Sequence, residues 1–221
     1  MIQNIKESLK NYFETEKDFA SNLDFDKGYS ERDINWMKSN LIPRIKNLAS
    51  ENMSKSCLDV GCAYGYFTKV LSESFDQTYG VDLSTNRIEY AKKYETNSIK
   101  FVQSDLTESF ASKFPVKFDF MFTNAVLPHI PLRFKSDVFR NLAEVANTGC
   151  IFVMYDGMLN DDNKHKHDGN NQADFKNWNG REIIKVVFIS EKWIRENAPD
   201  WEILQINNVG YATEEIILKR K

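Results

Sequence analysis

The sequence contains no long hydrophobic run, which argues against a protein with membrane-spanning helices. No apolar stretch approaches the roughly 20 residues that such a helix needs. The first ten residues, MIQNIKESLK, also lack the apolar segment of a secretory signal peptide. We therefore expect neither secretion nor a membrane partner.

Cysteine is scarce, and its three copies form no pattern typical of disulfides or metal ligands. Cys57, Cys62 and Cys150 are odd in number and include no CxxC pair. They are expected to be small buried residues in a reducing compartment. This usage predicts a cytoplasmic protein.

The sequence also lacks an excess of positive charge. Its 29 Lys and Arg residues and 32 Asp and Glu residues give a formal net charge of -3. Domains that bind nucleic acid usually carry a basic excess, so we expect no nucleic-acid partner. Hydrophobic residues make up 42% of the 221 positions, enough for a sizeable core without a structural metal.

The first fifty residues have a helical pattern. Apolar residues recur on one helical face early in the chain, and a second stripe runs from Ile34 to Leu48. Ser30 followed by Asp33 resembles a capping box, and Pro43 predicts a kink or a new helix start. We predict an N-terminal helical cap over residues 1–50.

From residue 56 onward, short apolar runs alternate with amphipathic stretches. The runs predict strands near residues 56–60, 78–82, 99–103, 117–123 and 149–155. The stretches between them predict helices at 64–75, 84–94 and 131–146, with a possible short one at 105–113. This alternation indicates an α/β domain with a parallel sheet covered on both faces, spanning residues 51–221.

The C-terminal part has a different pattern. Residues 190–198 predict one more helix, and the stretches WEILQINNVG and TEEIILKRK predict two strands joined directly. Such a pair should be antiparallel. The preceding residues 157–180 are rich in Asn, Asp, Lys and Gly, which predicts a polar insertion or a lid.

Polar residues follow the first four predicted strands at or near the point where each ends. They are Asp59, Asp82, Asp105 and Asn124. In an open parallel sheet, ligands bind at the carboxyl ends of the strands. We therefore expect these four side chains to converge on one crevice.

Small residues form the turn after the first predicted strand. Gly61, Ala63 and Gly65 would allow a sharp bend and a close approach of the backbone to a ligand. Asp82 lies about 20 residues further on, where nucleotide-binding folds place an acid against a ribose. The dinucleotide fingerprint GxGxxG is incomplete, because Tyr66 stands where its third glycine would be.

Four motifs resemble those of class I S-adenosylmethionine-dependent methyltransferases. The stretch LDVGCAYG is similar to the family's first motif, and YGVDLS to the second. FVQSDLTE and FDFMFTNAVLPHI resemble the third and fourth. The resemblance implies a three-layer Rossmann-like sheet of order 3-2-1-4-5-7-6 whose last hairpin is antiparallel.

The resemblance also implies the cofactor, S-adenosylmethionine, and its product S-adenosylhomocysteine. Asp59 and the Gly61 backbone would hold the methionine end, Asp82 the ribose hydroxyls and Asp105 the adenine amino group. The remaining implied cofactor contacts are Ala63, Gly65, Leu83, Leu106 and Asn124. The cofactor is cationic and has no phosphate, so acids suit it better than a basic cradle.

His129 is the candidate general base, because it follows the fourth strand and titrates near neutral pH. It could instead only shape the pocket wall. Tyr29 either closes over the cofactor and acceptor or packs within the cap. His165 and His167 lie in the polar insertion, where two histidines do not by themselves make a metal site.

These observations predict an enzyme that methylates oxygen or nitrogen of a small polar acceptor, such as a sugar or another metabolite. Two alternatives remain. One is a non-catalytic methyltransferase-like module that binds a partner, and the other is an NAD-dependent oxidoreductase with a degenerate fingerprint.

Overall fold

A seven-stranded mixed sheet forms the centre of the computed structural model. The structure describes residues 7, 10–11, 31–156, 158, 175–178, 181–184, 187–210 and 213–221. The strands of this sheet are β1 (Ser56–Val60), β2 (Gln77–Asp82), β3 (Ile99–Gln103), β4 (Phe118–Asn124), β5 (Ala146–Asp156), β8 (Trp201–Gly210) and β9 (Thr213–Arg220). Their spatial order is β3-β2-β1-β4-β5-β9-β8. Because β8 and β9 are the sixth and seventh strands of this sheet along the chain, the predicted order 3-2-1-4-5-7-6 is confirmed.

The first five strands are parallel to one another, and β9 is the one strand of this sheet that runs in the opposite direction. β1 pairs in parallel with both β2 and β4, and β4 pairs in parallel with β5. β9 is antiparallel to β5 and to β8, as the direct connection predicted. The predicted α/β class and the antiparallel terminal hairpin are therefore confirmed.

Helices lie along both faces of the sheet. They are α1 (Glu31–Trp36), α2 (Ile42–Glu51), α3 (Tyr66–Leu71), α4 (Thr85–Ala91), α5 (Leu132–Val145) and α6 (Glu191–Asn197). Short 3₁₀ turns extend α3 and α4 to Ser74 and Tyr94, so the predicted helices at 64–75 and 84–94 are present in shortened form.

The two largest apolar clusters lie on opposite faces of the sheet, because successive residues of a strand point to opposite faces. On one face, Leu58 of β1 belongs to a cluster with Phe139 of α5. On the other, Cys57 belongs to a cluster with Ile45 of α2 and Phe67 of α3. All five residues of β1 are buried, which explains its continuous apolar character.

The N-terminal helices pack directly on the sheet. The chain is helical from Glu31 to Glu51, with a π-helical segment at Met37–Leu41 just before Pro43. Arg44 forms an ion pair of 3.3 Å with Glu215 of β9, and Glu215 also accepts a hydrogen bond from Tyr155. The division into a cap and a methyltransferase domain stays a prediction, and Ser30 lies outside the described residues.

One predicted feature is wrong. The possible helix at 105–113 is a 3₁₀ turn at Ala111–Lys113, because Asp105 turns back on Thr107 instead of capping a helix. The polar insertion or lid at residues 157–180 stays a prediction, and the described part of the chain there holds a hairpin in which β6 (Phe175–Trp178) pairs with β7 (Arg181–Ile184). The Asn-Gly pair between these strands is a typical sequence signal of a hairpin that the polar composition concealed.

No helix among the described residues is long and apolar enough to cross a membrane.

Candidate active site

The carboxyl ends of β1, β2, β3 and β4 lie side by side at one edge of the sheet. Asp59 is the penultimate residue of β1, Asp82 ends β2 and Asn124 ends β4. Asp105 follows β3 by two residues, and the neighbouring Ser104 N–H donates to the Asp82 carbonyl at 2.9 Å. The predicted convergence of strand ends is present in the structure.

Asp59 is a buried carboxylate that lies against the first turn of α3. Its side chain accepts a hydrogen bond of 2.6 Å from the hydroxyl of Thr68, which lies on the buried face of α3. Burial raises the pKa of Asp59 to about 7, the nearby Asp82 carboxylate adds to this effect, and the Thr68 hydrogen bond opposes it. A cationic ligand beside Asp59 would favour its charged form.

Asp82 connects the turn after β1 with the start of α4. Its two carboxylate oxygens accept hydrogen bonds from the backbone N–H of Ala63 at 3.0 Å and of Ser84 at 2.9 Å. Ser84 in turn caps α4 by accepting from the Arg87 N–H. Burial raises the pKa of Asp82, while the charge of Arg87 and the backbone donors oppose the rise.

The turn after β1 needs glycine for packing as well as for its backbone conformation. Gly61 and Gly65 both have a φ of +77°, and a Cβ on Gly61 would lie 2.2 Å from a methyl carbon of Val126. A Cβ on Gly65 would lie 2.7 Å from Ala91 and from the ring of Phe101. Both glycines therefore allow neighbouring segments of the protein to pack closely against the turn, a role that the sequence did not reveal.

Three further predicted cofactor contacts lie just after strands, Leu83 after β2 and Asp105 and Leu106 after β3. Asp105 accepts hydrogen bonds from the Thr107 N–H at 2.8 Å and from its hydroxyl at 2.7 Å. Leu83 is half-buried, and its carbonyl accepts from the Gln103 side chain at 3.0 Å. Leu106 is buried in the core cluster of α5, so only a small part of its side chain is exposed.

The turn after β4 carries His129. Ala125 has a φ of +55°, and Leu127–His129 forms a 3₁₀ turn. Burial lowers the pKa of His129, and the charges of Lys135 and Arg87 lower it further. An imidazole kept neutral near pH 7 is able to accept a proton.

Asp156 and Lys135 were missed by the sequence reasoning. Asp156 ends β5 just as Asp82 ends β2, so the same pattern of acids at strand ends would have identified it. Lys135 is fully buried and donates to the carbonyls of Leu127 and Val187. Burial lowers the pKa of Lys135 to about 7 and raises that of Asp156 to about 7, and their mutual attraction opposes both shifts.

Some predicted residues cannot be placed. Tyr29, His165 and His167 lie outside the described residues. Within the described part of the chain, no group of three or more His, Cys, Asp or Glu side chains could hold a metal ion.

The site fits an adenosyl sulfonium better than a dinucleotide. S-adenosylmethionine carries an ammonium and a sulfonium group, and the buried carboxylates Asp59 and Asp82 lie beside the turn. The turn sequence GCAYGY contains no Lys or Arg to neutralise a phosphate. Asp59 would repel a pyrophosphate in the same place.

Comparison with known proteins supports this interpretation at the level of sequence. Residues 58–154 match the family described as "Methyltransferase domain". The chain is also similar to the ribosomal RNA small subunit methyltransferase A of Mycoplasma mycoides subsp. mycoides SC, with 21% identity over 118 residues. That alignment covers 52% of this chain and 44% of the relative, so the chain matches less than half of the relative's length.

Solved structures share the complete fold. The DhpI–SAH complex aligns with a TM-score of 0.71 and 19% identity, covering 99% of this chain and 98% of the other. The magnesium protoporphyrin IX methyltransferase ChlM from Synechocystis PCC 6803 with bound SAH aligns with a TM-score of 0.69 and 16% identity, covering 98% of this chain and all of ChlM.

The fold and the family match agree with each other. Residues 58–154 match a methyltransferase domain family, and the seven-stranded sheet has the fold of a methyltransferase solved with bound SAH.

Proposed function

We propose that this protein transfers a methyl group from S-adenosylmethionine to oxygen or nitrogen of a small polar acceptor, such as a sugar or another metabolite. The observation that carries this proposal is the pair of buried carboxylates, Asp59 and Asp82, at a turn without a cationic side chain. The absence of a basic excess in the sequence favours a small acceptor over nucleic acid.

Each strand end has a separate task in this proposal. Asp59 and the Gly61 backbone bind the amino acid end of the cofactor, and Asp82 accepts hydrogen bonds from the ribose hydroxyls. Asp105 accepts from the adenine amino group, with Leu83 against the ring and Leu106 supporting it from the core. Asn124, Ala63 and Gly65 border the cofactor, and Asn124 lies on the side of the acceptor.

The bound cofactor supplies a methyl group on a good leaving group, so the protein's main task is to orient the acceptor in line with it. An amine acceptor needs only to be neutral. A hydroxyl acceptor needs a base, and His129 is the proposed one because burial and two neighbouring cations favour its neutral form. Tyr29 is proposed to contact the acceptor or cover the cofactor.

The two alternatives make different predictions. An oxidoreductase would bind NAD, although the third glycine of the fingerprint is replaced by Tyr66 and Asp59 is unfavourable near a pyrophosphate. A non-catalytic module would bind no acceptor. Such a module would have no need of Asp59, Asp82 and Asp105 together.

Calorimetry tests the cofactor assignment. We expect S-adenosylhomocysteine to bind and NAD not to bind. Asp82→Ala should weaken S-adenosylhomocysteine binding by about 1–3 kcal/mol, as for a lost buried hydrogen bond to a charged group. Asp76→Ala is the matched control, because Asp76 is an exposed acid that precedes β2 at the opposite edge of the sheet. Equal affinity in folded Asp82→Ala would remove Asp82 from the site.

A screen with labelled S-adenosylmethionine tests the acceptor class. The panel should hold hydroxylated metabolites, amines and a ribosomal RNA fragment as separate groups. Label transfer to a small polar compound supports the proposal. Transfer to the RNA fragment alone would replace the proposed acceptor class.

A further inference from the structure

We propose that Lys135 is a positioning residue for methyl transfer, which fixes the turn carrying His129 by joining it to the segment Val187–Ile189. This inference rests on the proposed function in one respect, that this turn borders the acceptor. The connection itself can be measured without any acceptor.

The contacts of Lys135 join two parts of the chain that are distant in sequence. Its Nζ atom donates to the Leu127 carbonyl in the turn after β4 and to the Val187 carbonyl, 52 positions further along from Lys135. The Val187 N–H also donates to the Pro128 carbonyl at 2.9 Å. The turn and the segment are therefore held together by three hydrogen bonds, two of which depend on one side chain.

The burial of Lys135 carries a desolvation cost. Its side chain has no exposed surface, and a buried ammonium group loses its hydration. Lys135 lies on the apolar face of α5, one turn before Val138 and Phe139. A hydrophobic residue there would avoid this cost, so packing alone does not account for the lysine.

A carboxylate lies in the same pocket. Asp156, Lys135, Leu127 and the segment Val187–Ile189 line one shallow pocket at the end of β5. The Asp156 carboxylate oxygens accept no hydrogen bond of good geometry among the described residues, although the N–H groups of Ala125 and Val126 are close enough to stabilise its charge. Asp156 thus balances the charge of Lys135 without replacing its bonds to the two carbonyls.

The position of the turn affects the reacting groups directly. Val126, which precedes it, packs against Gly61 of the cofactor turn, and His129 ends it. Two cations act on His129, Arg87 from α4 and Lys135 from α5, and Asp156 of β5 acts in turn on Lys135. Removal of Lys135 should therefore change both the mobility of the turn and the titration of His129.

The main variant is Lys135→Met, which keeps the length of the side chain and removes its donors and charge. We expect hydrogen exchange of the Val187 amide to become at least about tenfold faster. The Asp76 amide, which donates to the Lys55 carbonyl at 2.8 Å before the start of β2, should be unaffected. NMR titration should show a higher pKa for the His129 imidazole, because a neighbouring positive charge is lost.

Three further variants separate the possible causes. Lys135→Arg keeps charge and donors, so the His129 titration should remain close to that of the wild type. Lys135→Gln keeps a donor without charge, so the pKa of His129 should rise with a smaller effect on Val187, and this variant serves if Lys135→Met does not fold. Lys113→Met is the matched control, since Lys113 is exposed and donates at 2.8 Å to the Gln103 carbonyl at the end of β3, outside the turn that carries His129.

The proposal is overturned if Val187 and Asp76 exchange faster by the same factor, or if the His129 titration does not change in Lys135→Met or Lys135→Gln. When an acceptor is found, Lys135→Met should raise its KM or lower kcat with S-adenosylhomocysteine affinity unchanged. A failed acceptor screen would count against the proposed function alone, because the exchange and titration measurements need no acceptor.

Discussion

The hydroxyl of Thr68 donates a 2.6 Å hydrogen bond to the carboxylate of Asp59, and both side chains are almost fully buried. This contact joins α3 to the end of β1 and supplies one donor to a carboxylate that burial makes difficult to ionise. An acid in this state is poorly satisfied in the free protein. It is well suited to gain from a bound cation.

Cofactor affinity should fall in acid because of Asp59. Burial raises the pKa of Asp59 to about 7, and a ligand with an ammonium group should bind the ionised form more tightly. We expect the Kd of S-adenosylhomocysteine to increase as pH falls through about 7, by up to about tenfold per pH unit. Calorimetry between about pH 6 and about pH 8 measures this dependence and the proton released on binding.

Asp59→Asn is the control for this titration. The variant should bind S-adenosylhomocysteine more weakly, and its affinity should vary little over the same pH range. If the wild type shows an equally flat profile, Asp59 does not bind the cationic end of the cofactor.

The same carboxylate should lower the stability of the ligand-free protein at neutral pH. Between about pH 4, where Asp titrates in the unfolded chain, and about pH 7, the folded state binds more protons at Asp59 than the unfolded state does. The contribution of Asp59 to the free energy of unfolding therefore decreases as pH rises through this window. Asp59→Asn, whose amide oxygen can still accept from Thr68, should remove this decrease.

Thermal unfolding without ligand measures the effect. The Tm of Asp59→Asn minus the Tm of the wild type should be larger at about pH 8 than at about pH 5. The comparison with the wild type at each pH cancels the titration of Asp156 and Lys135. A Tm difference that is the same at both pH values would contradict the assigned pKa of Asp59.

Strands β1, β2 and β4 could be predicted from the sequence because their hydrophobic runs are buried on both faces, whereas β3 is buried mainly at Ile99 and Phe101. The bounds of β1 and β3 are those predicted, and β2 and β4 differ by one residue at their ends. β5 begins three residues earlier than predicted, at Ala146, where Asn147 and Thr148 interrupt the apolar pattern. Such a polar start carries no signal of a strand in one sequence.

Site residues at the ends of strands could be predicted from the sequence. Residues whose role depends on tertiary packing were harder to predict. Asp82 lies at the end of β2 as the spacing indicated. The contact of Gly61 with Val126 joins residues 65 positions apart and has no local signal. Lys135 did have one, since it falls on the apolar face of α5 with Val138 and Phe139, where a charged residue is unusual.

Gly61→Ala should destabilise the fold through both strain and packing. The φ of +77° costs an alanine roughly 1–2 kcal/mol, and the contact of 2.2 Å with Val126 adds an overpacking cost of about 1–3 kcal/mol. Gly149→Ala is a matched control, because Gly149 has a φ of +83° but its Cβ would meet only Lys219, at 3.9 Å. Chemical denaturation should therefore show a greater loss for Gly61→Ala than for Gly149→Ala.

Val126→Ala should relieve the packing part of this loss. The double variant Gly61→Ala with Val126→Ala should be more stable than the sum of the two single effects, because the methyl carbons that meet the new Cβ are absent. Additive effects within about 0.5 kcal/mol would show that strain alone accounts for the cost.

His129→Ala should separate chemistry from cofactor binding. Burial, Lys135 and Arg87 all lower the pKa of His129, so the imidazole is neutral at pH 7 and can accept a proton from a hydroxyl acceptor. We expect the Kd of S-adenosylhomocysteine to change by less than about twofold, and kcat with a hydroxyl acceptor to fall by about 10²–10⁴-fold. In the wild type, kcat should be constant near neutral pH and decrease only in acid, below the lowered pKa.

The acceptor chosen for the assay makes this test specific. An amine that is neutral at the assay pH needs no base, so its methylation should be nearly insensitive to His129→Ala. His129→Gln keeps a polar side chain of similar length without a titratable nitrogen, and its kcat with a hydroxyl acceptor should match that of His129→Ala. If either variant retains full turnover at saturating hydroxyl acceptor, His129 only shapes the wall of the pocket.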